Sequence, residues 1–274
     1  MVAGGYPVER DAFRSWPDSG DEAHVEMGNR MSIALITGGN RGLGFASARA
    51  LAQTGSCVIL TGRDQTQADE AASALRAEVL DVQALSLDVT SPTSIATAVD
   101  HVQQHQGRLD VLVNNAGVLP EATDSTEHEF ASPEMFQTTF ATNVFGAVAV
   151  TEAFLPLLRR SPRGRIVNVS TTMGSLSDQA DPNSPYYQMI VPAYQSSKAA
   201  LNSVTISLAK TLADTDIKVT SVCPGFVQTD LTPVNRVQAP LTADQAAGVV
   251  LTGATLPADA PSGTFIDQNG PVAW

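Results

Sequence analysis

The sequence has 274 residues, of which 43% are hydrophobic and 16% charged, and a net charge of −12. That much apolar material can fill a large core and excludes a disordered chain, while the acidic excess works against binding to nucleic acid or to an anionic membrane surface. Two cysteines, Cys57 and Cys223, are too few for a disulfide framework or a zinc site; buried thiols in a reducing cytoplasm are the expectation.

Residues 1–30 carry Glu9, Asp11, Asp18, Asp21, Glu22 and Glu26 and lack an apolar stretch, so they read as a tail and not as a secretory signal. No run of about 18 apolar residues occurs, and no membrane-spanning helix is expected. From Met31 onward short apolar runs alternate with helical patterns. Strands are predicted at 33–37, 57–61, 82–87, 109–113, 165–170, 217–222 and 264–267. Helices are predicted at 43–53, 65–77, 94–106, 134–158, 194–213 and 243–252, the fourth with Pro156 near its end. Repeated alternation of apolar strand and helix predicts an α/β fold: one doubly wound parallel sheet with helices on both faces, spanning residues 31–274. A long irregular stretch, 174–191, interrupts this rhythm between a strand and a helix; loops of that length in a compact unit usually serve function.

The first strand runs into Thr37-Gly38-Gly39-Asn40-Arg41-Gly42-Leu43-Gly44, which opens a helix. Glycines there permit a tight turn, and the helix start offers free N–H groups and a positive dipole end to a pyrophosphate. Further motifs follow in order. Asp88-Val89 closes the third strand and Asn114-Asn115-Ala116-Gly117 the fourth. Asn143 lies in Thr142-Asn143-Val144-Phe145-Gly146, Tyr194 and Lys198 in Tyr194-Gln195-Ser196-Ser197-Lys198, and Pro224-Gly225-Phe226-Val227-Gln228-Thr229 follows the sixth strand.

Six motifs in this register resemble those of the main branch of the short-chain dehydrogenases/reductases, with a carbonyl-reductase-like pattern toward the C-terminus. The resemblance implies an oxidoreductase that moves a hydride between NADP(H) and a small carbonyl or alcohol compound, here in the direction of a ketone or aldehyde being reduced. It implies a cofactor site made of Gly38, Asn40, Arg41, Gly42, Leu43, Gly44, Arg63, Asp88, Val89, Asn115, Ala116, Gly117, Tyr194, Lys198, Pro224, Gly225, Val227 and Thr229. It implies a catalytic set of Asn143, Thr171, Tyr194 and Lys198, with Asn143 positioning a water and Lys198 holding the nicotinamide ribose. Thr171 stands three residues before Gly174, where many members carry the second of two serines; Ser170 is the fallback.

The chemistry is consistent with these residue types. A carbonyl reduction needs a proton for the developing alkoxide, and a lysine one turn from a tyrosine is expected to draw the phenol's pKa down. NADP is expected over NAD because Gly62-Arg63 occupies the place after the second strand where NAD-specific members carry an acid, and an arginine can bind a 2′-phosphate. Asp64 could reach the ribose were the register two residues longer. Tyr186, Tyr187, Met189, Ile190 and Val191 are expected to wall an apolar substrate pocket. His101 and His105 share a helix face without a third metal ligand, so no metal is expected. Two other readings are an alcohol dehydrogenase working in the oxidative direction and an idle NADP-binding regulator on the same scaffold; the intact Tyr194, Lys198 and Asn143 argue against the second. Monomer and homo-oligomer both remain open.

Overall fold

β-Branched and leucine-rich runs pair into a sheet whose central strands are buried, while those at its edges are partly covered. The computed structural model describes residues 31–274, and the tail expected over 1–30 lies outside the described residues. The strands are β1 (Ile33–Ile36), β2 (Cys57–Gly62), β3 (Val82–Ser86), β4 (Val111–Asn114), β5 (Arg165–Val169), β6 (Lys218–Val222), β7 (Thr264–Asp267) and β8 (Gly270–Pro271). The helices are α1 (Gly42–Gln53), α2 (Gln65–Ala77), α3 (Pro92–His105), α4 (Pro133–Phe140), α5 (Ala147–Leu158), α6 (Leu176–Gln179), α7 (Pro192–Thr211), α8 (Pro233–Gln238) and α9 (Ala243–Ala254).

The strand order is β3-β2-β1-β4-β5-β6-β7-β8, parallel throughout except for the last pair. The fold is therefore the expected doubly wound sheet with one addition: Gln268-Asn269 turns β8 back against β7. A two-residue partner of this kind leaves too little periodicity to be read in sequence.

Alternation along each strand divides the core in two. Ala34, Ile36, Val58, Leu60, Val111, Val113 and Val167 face α1, α2 and α9. Ile33, Leu35, Ile59, Leu112, Ile166 and Val219 face α3, α5 and α7. The order reverses between β1 and β4, and the crevice beyond the carboxyl ends of the strands opens there, where such sheets bind ligands.

One correction concerns the helix expected over 134–158. It runs from Pro133 to Leu158, but Ala141–Gly146 is wound as a π-helix between α4 and α5. π-Segments widen a helix locally and are frequent at functional sites; here the widened turn contains Asn143. An 18-residue window within the whole helix reaches a mean hydropathy of 1.5, so by length and composition alone the helix could cross a membrane. Half of that apolar window is buried, with Val150, Phe154, Leu157 and Leu158 packed on the sheet.

Candidate active site

The glycine loop is shaped for close approach. Gly38 and Gly42 have positive φ of 62° and 54°, and a Cβ on Gly44 would collide with the Gly38 carbonyl. The N-cap of α1 is Arg41, whose side chain makes no capping bond, so the orphan N–H groups of this twelve-residue helix are left for another acceptor. Thr37 organises the neighbouring strand end: its hydroxyl accepts from the N–H groups of Asn115 and Ala116, both at 3.0 Å. Asn115 returns two bonds from Nδ2 to the carbonyls of Thr37 and Gly38.

β2 ends at Gly62, where a Cβ would stand 3.1 Å from the Asn40 side chain. Asp64 lies two residues beyond the end of β2. It caps α2, accepting from the Gln67 N–H at 3.1 Å. Arg63 is exposed and lies close enough to Asp88 to favour its carboxylate, which is lowered first by hydrogen bonds from Thr90. Arg41 reaches across to Asp230 at 3.4 Å, and Arg236 holds the same carboxylate. This pair of contacts ties the glycine loop to the turn after β6, where Gly42 abuts Thr229. Val89 is buried against Gly146, and Val227 lies buried beneath the Pro224-Gly225 turn, with its carbonyl bonded by Asn235.

Asn143, Tyr194 and Lys198 come together as expected, all of them buried. Lys198 Nζ donates to the Val169 carbonyl at the end of β5 at 2.8 Å and sits 5.6 Å from the Tyr194 ring centroid. A Cβ on Gly117 would lie 3.5 Å from Asn143 Oδ1 and 3.7 Å from Lys198 Nζ, so the loop after β4 passes beside both side chains.

The side chain of Asn143 is held within the protein. Oδ1 accepts from the Val118 N–H, and Nδ2 donates to the Val118 carbonyl and to Ser197 Oγ. One expectation changes: the net shift on the tyrosine is upward, for burial pushes the Tyr194 phenol up and lowers the Lys198 ammonium to about 8. Desolvation disfavours the charged form of each, and at neutral pH the phenol holds its proton.

The two candidate hydroxyls differ in accessibility. Ser170 continues β5, bonded through its N–H to the Val222 carbonyl; its hydroxyl is buried and has no hydrogen-bond partner among the described residues. Thr171 is half-buried, and its hydroxyl accepts from the Met173 N–H at 3.2 Å while keeping its own proton to donate. The turn that follows packs so close to α7 that a Cβ on Gly174 would stand 2.7 Å from Lys198.

Within 174–191, Tyr187, Met189 and Ile190 are exposed instead of walling a pocket. Tyr186 is half-buried; burial raises its phenol, with Cys223 adding to the rise, while a hydrogen bond with Thr172 opposes it. Both cysteines are free and buried. His101 and His105 stack on each other, and no group of metal-ligating side chains occurs among the described residues.

Sequence reading missed Thr37 and Ser197 as organising residues, although both lie inside quoted motifs. It also missed Glu121, whose carboxylate accepts from the N–H groups of Ala193 and Tyr194. No local pattern marks a contact made across more than 70 residues.

A doubly wound sheet with a glycine-rich turn at its crevice and a buried Tyr/Lys pair one turn apart defines a dinucleotide-dependent oxidoreductase. The short chain dehydrogenase family pattern matches residues 32–239, and the chain belongs to that family. It is 32% identical to a (+)-neomenthol dehydrogenase of Arabidopsis thaliana, over 86% of this chain and 96% of that one. The NADPH-bound carbonyl reductase from chicken fatty liver superposes with a TM-score of 0.77 at 26% identity, covering 89% of this chain and all of that one. A 3-ketoacyl-(acyl-carrier-protein) reductase from Brucella melitensis, solved with NADH, gives 0.73 at 25% identity, over 86% and 96%.

Proposed function

We propose that this dehydrogenase is an NADPH-dependent reductase of a ketone or aldehyde. The observation that carries the reading is the state of the pair on α7: Tyr194 is kept protonated by burial, which suits a proton donor, and Lys198 lies beside its ring. The glycine loop and the uncapped start of α1 fit a pyrophosphate, and Gly62 followed by Arg63 places a cation, with no acid on the strand end, where a 2′-phosphate would lie. NADPH, when bound, supplies the hydride. The protein supplies the rest. Thr171 donates its hydroxyl proton to the substrate oxygen and orients it, and Tyr194 gives the proton that the developing alkoxide needs. The ammonium of Lys198 then stabilises the phenolate left behind. Asn143 fixes Val118 and Ser197, and so holds the loop after Gly117 against α7.

The test is NADPH and NADH consumption over a panel of ketones, aldehydes and quinones. NADPH is expected to give the higher kcat/KM, and Arg63→Ala to narrow the gap. Tyr194→Phe is expected to lower kcat by about 10²-fold or more while NADPH still binds. A wild-type preference for NADH removes the cofactor assignment, and a Tyr194→Phe enzyme that keeps most of its turnover removes the tyrosine from the chemistry.

A further inference from the structure

The helix that carries Tyr194 and Lys198 begins without a cap of its own. Its N-cap residue, Val191, has no polar side chain, and Pro192 at the first helical position has no N–H. The next two N–H groups, those of Ala193 and Tyr194, would be orphans. Both are taken by one carboxylate brought from elsewhere: Glu121 Oε1 accepts from Ala193 at 3.0 Å and Glu121 Oε2 from Tyr194 at 2.8 Å. Glu121 sits on a short 3₁₀ turn, Pro120–Thr123, just after the Asn114–Gly117 strand end.

These bonds close a ring. Val118 is gripped through its N–H and carbonyl by Asn143, at 2.8 and 3.0 Å. Asn143 Nδ2 donates to Ser197 Oγ at 3.1 Å, and Ser197 Oγ donates to the Tyr194 carbonyl at 2.7 Å. Tyr194 N–H then donates to Glu121, three residues along from Val118. The main chain of Tyr194 is thus held on both sides: its carbonyl through the widened turn of the long helix, its N–H by Glu121.

We propose that Glu121 is a positioning residue that sets the main chain of Tyr194 against the loop around Val118 and whose charge, at the start of the helix, tunes the phenol. This rests on the reading of Tyr194 as proton donor. A carboxylate at a helix N-terminus offsets the positive end of the dipole, which would otherwise favour the phenolate. The titratable groups facing the Tyr194 ring are Lys198 on the same helix and Cys223 after β6; Glu121 adds a negative charge at the helix start, on the Tyr194 N–H. Only a side chain of this length with two acceptors satisfies both N–H groups. Glutamine keeps the length but offers one acceptor, and its NH2 would face a donor.

The experiment compares wild type with Glu121→Gln and Glu121→Ala. Glu121→Gln is expected to lower kcat by about tenfold or more through misplacement of the phenol, and to leave the KM for NADPH nearly unchanged. The pH at which carbonyl reduction falls off on the alkaline side is expected to move downward, since loss of the carboxylate favours the phenolate. Amide hydrogen exchange at Ala193 and Tyr194 is expected to speed up. Should Glu121→Ala fold poorly, Glu121→Gln still decides the matter. A lowered melting temperature with wild-type kcat and pH profile would overturn the proposal, as would unchanged exchange at those two amides. If the wild type reduces no carbonyl at all, the proposed function fails, and exchange in Glu121→Gln alone then decides whether the carboxylate holds Tyr194.

Discussion

Lys198 is withdrawn from water against the end of β5, and the single carbonyl of Val169 replaces only part of the hydration its ammonium loses. Its pKa falls from 10.5 to about 8. Between those values the unfolded chain binds the proton that the folded chain has given up, so the lysine's contribution to stability improves as pH rises, and the penalty is complete below pH 8. The difference corresponds to about 3 kcal/mol. Lys198→Met is therefore expected to be inactive yet more stable than wild type at pH 7, with a lead that shrinks toward pH 10. Urea unfolding at the two pH values checks this, and a lead independent of pH would contradict it. The hydroxyl assignment is tested beside it. Thr171→Val removes the accessible donor and is expected to cost kcat/KM, whereas Ser170→Ala removes a buried hydroxyl with no partner among the described residues and is expected to leave kcat/KM close to wild type; the reverse result would move the role to Ser170. Tyr194, Lys198 and Asn143 were legible because helical spacing and motif register locate them. Thr171 was legible only by counting back from Gly174. Glu121 was not, because its function is a main-chain contact between distant segments, and nothing in Leu119-Pro120-Glu121 announces it.

The helices are held by more than apolar burial. Asn114 Nδ2 donates to Thr151 on α5 and to Asn168 on β5, both at 2.9 Å. Asn168 donates to Thr205 on α7 at 2.8 Å, and Thr205 shares a hydrogen bond with Ser221 on β6 at 2.9 Å. This buried relay links α5, β4, β5, α7 and β6. Thr205→Val keeps the shape and strands the donor of Asn168. It is expected to cost about 1–3 kcal/mol, measured by denaturant unfolding, and a neutral result would mean that water or a rotated amide takes over. The strands and α1 to α3 were readable from apolar period and flanking glycines. The π-segment was not, since widening by one residue leaves the hydrophobic pattern of 134–158 intact. Nor was the role of 174–191: its apolar residues suggested a wall, but side chains on an irregular segment have no period from which direction can be inferred, and only Tyr186 turns to the site.

At the scale of the molecule the charge of −12 sets the terms on which an anionic cofactor arrives. The long-range field repels a dinucleotide phosphate, so association on the proposed reading occurs against the field and is completed by contacts at short range. Added salt shortens the Debye length to about 8–10 Å near physiological strength. The NADPH association rate, followed by stopped-flow fluorescence, is expected to rise from low salt to that range; a rate that falls would show that local arginines steer the encounter instead. The bridge from Arg41 to Asp230 gives this an added consequence. The guanidinium nearest the glycine turn already has a carboxylate for company, shared with Arg236. A phosphate that claims Arg41 displaces one anion with another, and the crevice changes partners without a large change in its own charge. On the proposed reading Asp230 would release the arginine, and Arg236 would keep its own hold on the same carboxylate.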